Sequence, residues 1–119
     1  MNHYTPDGWP NVIPRIFVDD AESLVRFMRT VFHATGDYND QRPTELRIGD
    51  SMIMISDTSE RPPFAACLYV YVPDVDEAWQ RAVSAGSRII ETVTDLPYGD
   101  RRGSVEDLWG NVWQIATRL

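Results

Sequence analysis

The sequence predicts an α+β fold made of two similar modules, and three observations lead to this prediction. The segment FVDDAESLVRF at 17–27 aligns with YVPDVDEAWQR at 71–81. In both halves a stripe of apolar residues with helical spacing follows one alternating strand and precedes further strands. The stretch ERPP at 60–63 interrupts any regular element between the halves. We therefore expect one domain over 1–119, with module one at about 12–57, a linker at about 58–64 and module two at about 65–118.

Module one is predicted to begin after an irregular, proline-rich arm, TPDGWPNVIP, with a strand at 13–18. A helix follows, whose N-terminus carries Asp19 and Glu22 in the spacing of a capping box and whose exit suits Gly36. After DYNDQRP, the alternating segments TELRI and SMIMIS flank a GD turn, which predicts a hairpin after a short strand. The apolar stripe of the helix consists of Ala21, Leu24, Val25, Met28, Val31 and Phe32.

Module two repeats this order of elements. ACLYVYV predicts a strand, and DVDEAWQRAVSAG predicts a helix with Asp74 and Glu77 as its capping box and Gly86 as its stop. SRIIETV predicts the next strand, and RRGSVED and VWQIAT form a closing hairpin through the turn LWGN. Neither half is long enough to bury a good core alone, so the modules must pack on each other or on a second chain.

Composition excludes several classes of partner. The net charge of −7 opposes nucleic acid and anionic membranes, while it suits either solubility or a cationic ligand. No apolar run approaches the roughly 20 residues that span a bilayer, and the polar start MNHYTPDGWPN is unlike a signal peptide. We therefore expect a cytoplasmic protein. The lone Cys67 excludes an internal disulfide and a multi-cysteine zinc site.

Strand alternation separates two faces of the predicted sheets. One face is aliphatic and suits cover by the helices; Trp113 and Ile115 of the closing strand belong to it, which makes that indole a core residue. The other face mixes aromatic, thioether and polar side chains, so it is either an exposed surface or a concave surface that holds a ligand. Methionine and tyrosine favour the second interpretation. This mixed face includes Arg15, Phe17, Glu45, Arg47, Met52, Met54, Ser56, Cys67, Tyr69, Tyr71, Val112, Gln114 and Ala116.

Four stretches resemble one family over nearly the whole chain from about residue 12. They are the VDD start of the first helix, LRIGDSMIMISD, YVPDVDEAWQRAVSAG and YGDRRGSVEDLWGNVWQIAT. Together they are similar to the vicinal oxygen chelate superfamily, which includes glyoxalase I, extradiol dioxygenases, fosfomycin-modifying enzymes and bleomycin-resistance proteins. The family turn D-P-x-G-N is present as DLWGN, with Leu108 in place of proline. The resemblance implies two β-α-β-β-β modules with curved sheets around a cleft, usually within a homodimer.

The metal-dependent members of this family place histidine or glutamate at four strand positions that face the cleft. The resemblance carries these positions to Ile13, Met54, Cys67 and Gln114. Such residues are poor ligands for a divalent cation. A register slip would recruit Glu45 but no histidine, because His3 lies in the arm and His33 at a helix end. The sequence therefore predicts no metal and no cofactor.

Other chemistry on the mixed face has weak support. Cys67 is a candidate nucleophile, but no histidine is placed to activate it, and a small core residue is the better interpretation. Glu45 and Arg47 are either a general base with an anion clamp or an ion pair. In GDRRG at 99–103, alternation sends one arginine toward the cleft, where it could meet an acidic ligand, unless both are solvated.

The function predicted from these observations is metal-independent binding of a small molecule, by analogy with resistance proteins that sequester bulky aromatic or cationic antibiotics. The alternative is a metal-dependent lyase, isomerase or dioxygenase with a rebuilt metal site, and a third possibility is a closed cleft that serves assembly alone. Trp109 occupies the turn, where it is either exposed or rims a dimer cleft. The predicted ligand-binding residues are Phe17, Glu45, Arg47, Met52, Met54, Cys67, Tyr69, Tyr71, Trp109 and Gln114.

Overall fold

The computed structural model describes residues 4–59 and 61–119, which form two helices and seven strands. His3 of the arm and Glu60 of the linker lie outside the described residues. Module one contains β1 (Arg15–Phe17), α1 (Ala21–Phe32), β2 (Thr44–Ile48) and β3 (Ser51–Ser56). Module two contains β4 (Cys67–Tyr71), α2 (Val75–Ser84), β5 (Arg88–Asp95), β6 (Asp100–Glu106) and β7 (Val112–Arg118). The predicted α+β class is confirmed.

The two sheets have related topologies. In module two the strand order is β4-β7-β6-β5, with β4 parallel to β7 and the other pairs antiparallel. In module one the order is β1-β3-β2, with β1 parallel to β3. The short strand predicted after α1 is reduced to a single bridge between Thr35 and Arg47. The polar residues 37–43 explain this, because Asn39 folds them into a turn by accepting a hydrogen bond from the backbone of Gln41.

The cap of α1 differs from its prediction by one residue. Asp20, not Asp19, is the N-cap, and it accepts hydrogen bonds from the backbone nitrogen of Ser23 at 3.2 Å and from the Ser23 hydroxyl at 2.7 Å. The helix ends at Phe32, and its C-cap His33 adopts a left-handed conformation with φ of 56°, so Gly36 lies beyond the exit. The cap of α2 is Asp74, as predicted, and it accepts from the backbone of Glu77.

One hydrophobic core joins the two modules. The rings of Phe27 and Phe32 on α1 lie 6.3 and 5.0 Å from the ring of Trp113 on β7. On α2, Arg81 donates to the carbonyl of Val31 at the end of α1, which fastens the helices together. Trp113 is fully buried, as its alternation predicts. The modules thus pack on each other within the chain.

The DLWGN turn between β6 and β7 is organised by one buried carboxylate. Asp107 accepts hydrogen bonds from the backbone of Trp109 and Asn111, each at 2.9 Å, and from the indole nitrogen of Trp113 at 2.8 Å. Asn111 in turn accepts from the backbone of Ala66, just before β4. The turn therefore fixes one end of the second sheet, where β4 and β7 begin and β6 ends, against the core. Among the described residues no helix is long and apolar enough to cross a bilayer.

Candidate functional site

The candidate site lies on the side of the four-stranded sheet that faces away from α2. The helix packs on the opposite side, where a Cβ atom at Gly103 would lie only 2.6 Å from Trp79. Strand pairing places one cross-strand row, with its side chains on the same side, at Tyr69, Gln114, Ser104 and Glu91. We call the whole surface the tyrosine face; it comprises Cys67, Tyr69, Tyr71, Arg88, Glu91, Asp100, Arg102, Ser104, Glu106, Val112, Gln114, Ala116 and Arg118.

Asp100 holds the two tyrosines in place. Its Oδ2 atom accepts from the hydroxyl of Tyr69 at 2.6 Å and from that of Tyr71 at 2.8 Å, and its Oδ1 atom accepts from Arg118 at 3.2 Å. The carboxylate is only 1% exposed, while the two rings are 38% and 58% exposed and lie 5.3 Å apart. A buried acid thus fixes two exposed rings, which is a preorganised aromatic surface.

These contacts also set the protonation of the cluster. The pKa of Asp100 lies below its ordinary value of 3.8, chiefly because Tyr69 donates to it. The pKa of Tyr69 is raised first by burial and then by its bond to Asp100, and the pKa of Tyr71 is raised chiefly by its bond to Asp100. The carboxylate is therefore ionised at neutral pH and both phenols remain neutral donors.

A second polar cluster adjoins the first. Arg102 donates through Nε and one terminal nitrogen to both oxygens of Glu91, each at 3.1 Å, and through the other to the Tyr98 hydroxyl at 2.8 Å. Its guanidinium also lies 5.8 Å from the ring centre of Tyr69. Ser104 donates to Glu91, and this bond, followed by those from Arg102, lowers the pKa of Glu91. Arg102 thus braces one edge of the aromatic surface.

Of the two arginines in GDRRG, only Arg102 lies on the tyrosine face. Arg101 points to the opposite side, where it pairs with Asp76 of α2 and with Asp95. Alternation correctly predicts that the two arginines lie on opposite sides of the sheet. Neither arginine is simply solvated, because each has a carboxylate partner.

Gln114 and Cys67 complete the solvent-facing part of the tyrosine face. Within residues 4–59 and 61–119, the side chain of Gln114 makes no hydrogen bond, although it lies between Tyr69 and Ser104 in the row. The residue is half-buried, and the donor and the acceptor of its amide have no hydrogen-bond partner among the described residues. Cys67 is an exposed free thiol at the start of β4, rather than the small core residue that the sequence favours.

The corresponding face of module one is largely covered within the chain. The ring of Phe17 is 6% exposed, and the guanidinium groups of Arg15 and Arg61 lie 4.6 and 5.5 Å from its centre. Met52 is 3% exposed, whereas Met54 is half-buried. Phe17 and Met52 are therefore not accessible from solvent in the single chain.

The predicted ion pair between Glu45 and Arg47 does not form in the part of the chain that the structure describes. The residues follow one another on the same side of β2, but Arg47 donates instead to the carbonyl of Gly8 at 3.2 Å. The N-terminal arm therefore provides the partner that the sequence assigns to Glu45. A contact with the arm lies 39 residues away in the chain and could not be read from local spacing.

Trp109 lies apart from the tyrosine face. Its ring packs edge-on against Phe27 of α1, with centres 6.4 Å apart. Together with the exposed Leu108 it lines a separate hollow of about 490 Å³ beside the N-terminal half of α1. A second hollow, of about 190 Å³, is formed by the 38–43 loop and the end of β3. Of the ten predicted ligand-binding residues, only Trp109 lines either hollow.

The residues at the four family metal positions do not fit a divalent cation. Ile13 precedes β1 and has no donor atom, and Met54, Cys67 and Gln114 offer a thioether, a thiol and an amide. Across the described residues, no group of three or more histidine, cysteine, aspartate or glutamate side chains is arranged to hold a metal ion.

Seven polar residues of the tyrosine face are absent from the ligand-binding residues predicted from the sequence. They are Arg88, Glu91, Asp100, Arg102, Ser104, Glu106 and Arg118. Alternation along DRRGSVE places Asp100 and Arg102 on the same side of the strand, so the sequence was sufficient to predict that they share a face. The pairing of Arg102 with Glu91 was not predictable, because the pairing of β5 with β6 shifts register twice, between Ile89 and Glu91 and between Glu91 and Thr94.

Comparison with known proteins agrees with this architecture. An uncharacterised protein of Mycobacterium bovis is 29% identical over 124 residues, which cover 89% of this chain and 82% of the relative. The crystal structure of TioX from Micromonospora sp. ML1 superposes with a TM-score of 0.77 and 25% identity, covering 92% of this chain and 99% of that one.

A glyoxalase/bleomycin resistance protein/dioxygenase family enzyme from Burkholderia phytofirmans PsJN shares the fold at 22% identity, with a TM-score of 0.73 and coverage of 90% and 97%. The model of the Glyoxalase/Bleomycin resistance protein/Dioxygenase superfamily matches residues 1–115. The chain therefore belongs to the glyoxalase/bleomycin resistance protein/dioxygenase superfamily.

Proposed function

We propose that this chain is a metal-independent binding protein that sequesters a bulky aromatic or cationic small molecule, such as an antibiotic, against the tyrosine face. One observation carries the proposal: the rings of Tyr69 and Tyr71 are exposed and yet fixed by the buried carboxylate of Asp100. Because the rings are already ordered, a ligand that stacks on them loses little side-chain entropy. Each stacking or cation–π contact contributes about 0.5–2 kcal/mol.

The second wall of the cleft is proposed to come from another copy of the chain. The tyrosine face is a single wall, and the mixed face of module one is largely covered around Phe17 and Met52. Superfamily relatives commonly form such clefts within a homodimer. A dimer would bring a module of one chain opposite the tyrosine face of the other, and would enclose a ligand that one face alone leaves in water.

Calorimetric titration of the purified protein with a bleomycin-type glycopeptide and several planar aromatic compounds tests the proposal. Trp79, Trp109 and Trp113 pack on the helix side, so their fluorescence is a poor reporter of this face. The Tyr71→Ala variant should bind about ten-fold more weakly, equivalent to roughly 1.4 kcal/mol. Leu108→Ala is the matched control, because Leu108 is 70% exposed but lies beside Trp109, and it should bind like the wild type.

Chelator treatment separates binding from metal chemistry. Binding that survives chelation, with no gain on addition of nickel, zinc, manganese or iron, agrees with the proposal. Binding or turnover that requires one of these metals would instead support a lyase, isomerase or dioxygenase with a rebuilt site. The binding proposal fails if no member of the panel binds, or if Tyr71→Ala and Leu108→Ala behave alike.

A further inference from the structure

The ionised groups of the tyrosine face balance one another. Asp100 pairs with Arg118, and Glu91 pairs with Arg102. The third acid, Glu106 at the end of β6, pairs with Arg88. Three carboxylates and three guanidinium groups thus leave this surface without net charge, even though the whole chain carries −7.

A charge-balanced surface does not favour a cationic ligand at contact. A cation would have to compete with an arginine for each carboxylate, and an anion would have to compete with a carboxylate for each arginine. Ser104 and both tyrosine hydroxyls already donate to these acids. Apart from the exposed thiol of Cys67 on the edge strand, the polar side chains of the face therefore satisfy one another, with one exception near its centre.

The exception is the amide of Gln114. A glutamine side chain offers one carbonyl acceptor and an NH₂ donor side by side, and here neither has a hydrogen-bond partner within the described residues. Strand pairing places Gln114 directly beside Tyr69, whose exposed ring neighbours that of Tyr71. A flat ligand that stacks on the rings would bring its edge to this amide.

We infer that the ligand is a neutral planar compound whose edge carries a hydrogen-bond donor beside an acceptor, as in an aromatic lactam or carboxamide, and that Gln114 recognises this edge. The inference rests on the proposed function and narrows its ligand to a neutral aromatic compound rather than a cationic one. A lactam edge forms two hydrogen bonds with one amide, since each partner supplies what the other lacks. A ligand without that edge leaves the Gln114 amide unsatisfied once water is excluded, which is the stronger source of discrimination.

Three probes of similar size test the inference by calorimetry. 2-Quinolinone carries the donor and acceptor edge, quinoline lacks the donor, and N-methylquinolinium is cationic. We expect 2-quinolinone to bind about ten-fold more tightly than either of the others. It makes two hydrogen bonds with the Gln114 amide, whereas quinoline makes at most one and N-methylquinolinium makes none. In ¹H–¹⁵N spectra, the side-chain NH₂ signal of Gln114 should shift on addition of 2-quinolinone.

Two substitutions at one position provide the matched controls. Gln114→Leu should abolish the preference for 2-quinolinone, because no probe can then hydrogen-bond to this position. Quinoline loses at most one hydrogen bond and keeps the aromatic stack, so its binding should weaken less than that of 2-quinolinone. Gln114→Glu should turn the preference toward N-methylquinolinium, because it adds a carboxylate that no arginine neutralises. Backbone amide spectra of both variants report whether the sheet is intact.

The results separate this inference from the proposed function. If N-methylquinolinium binds the wild type as tightly as 2-quinolinone, or if Gln114→Leu keeps the preference, the inference is overturned while binding at the tyrosine face stands. If neither these probes nor the glycopeptide and aromatic panel bind, the proposed function fails and the inference fails with it.

Discussion

At the scale of single residues, Asp100 links the interior of the sheet to its surface. The carboxylate is buried, yet its three partners, Tyr69, Tyr71 and Arg118, all reach the tyrosine face. Both phenols donate to the same oxygen atom, so the distance between the rings depends on one side chain. Loss of that side chain would free two rings at once.

The ionisation of Asp100 predicts a pH dependence of stability. Its pKa is lowered in the folded state from an ordinary value of 3.8, so folding favours the charged form. The stabilisation is therefore complete above pH 3.8 and is lost as the pH falls through the lower folded value. In urea unfolding between pH 6 and 2, the difference in free energy of unfolding between wild type and Asp100→Asn should shrink below this point.

The Tyr71→Phe variant is the control for this measurement. It keeps the aromatic ring and removes one of the donors to Asp100, so it should lose only part of the pH dependence that Asp100→Asn loses. If Asp100→Asn follows the wild-type dependence through the whole acid range, Asp100 is not a source of acid sensitivity and this assignment of its charge is wrong.

Residues differ in how far the sequence determines their role. The burial of Trp113 follows from alternation along β7, since an indole on the aliphatic face has only the helices to meet. The hydrogen bond from Trp113 to Asp107 was not predictable in the same way, because it depends on how the DLWGN turn folds back on the strand. Gln114 was placed on the correct side by alternation, but its lack of a partner required the positions of every neighbour.

At the scale of elements, the sequence predicts which type of residue caps each helix better than it predicts the position of that cap. Both helices have an aspartate as their N-cap, and Asp74 was identified correctly. In VDD both Asp19 and Asp20 satisfy the composition of a cap, and Glu22 favoured the first. The structure uses Asp20 because Ser23, three residues later, supplies both a backbone and a hydroxyl donor.

The neighbouring aspartates allow a matched test of the cap. Asp20→Ala should lower the melting temperature by about 4 °C, since it removes the acceptor for the first turn of α1. Asp19→Ala, one residue earlier and equally exposed, should change it by no more than about 1 °C. Thermal unfolding followed by circular dichroism measures both. Equal losses, or a larger loss for Asp19→Ala, would restore the capping box that the sequence suggests.

The sequence predicted that strands exist more reliably than it predicted how long they are. The six-residue strand expected at 13–18 contains only β1 (Arg15–Phe17), since prolines at positions 10 and 14 limit its start. The short strand expected before the hairpin shrinks to one bridge at Thr35. Alternation indicates which face of the sheet a side chain lies on. It does not indicate where hydrogen bonding to the neighbouring strand begins, which sets the length of the strand.

At the scale of the whole molecule, the chain is flat, with extents of 40 × 37 × 20 Å. The helices α1 and α2 join the modules from one side, through the core around Trp113. Because α2 covers only the opposite side of the four-stranded sheet, it does not cover the tyrosine face. The sequence repeat thus predicts two modules. It does not predict which module lies opposite the tyrosine face, or whether that module belongs to the same chain, because this depends on how copies of the chain assemble.

We expect the protein to be a homodimer in solution, with a mass twice the 13.6 kDa of the chain, as measured by light scattering coupled to size-exclusion chromatography. If each cleft joins module one of one copy to module two of the other, two defective variants can complement each other. Met54→Ala alters the half-buried thioether of module one, and Tyr71→Ala alters the tyrosine face of module two. Each variant alone should bind the panel ligands weakly.

Refolding the two variants together at equal concentration then distinguishes the possible clefts. Random pairing makes half of the dimers mixed, and in each mixed dimer one of the two clefts contains both unaltered residues, so roughly a quarter of the wild-type sites should return with wild-type affinity. A cleft built within one chain would give no such recovery, because every cleft would then keep one altered residue. A monomeric mass would contradict the assembly directly, and calorimetric stoichiometry decides between the two dimeric arrangements.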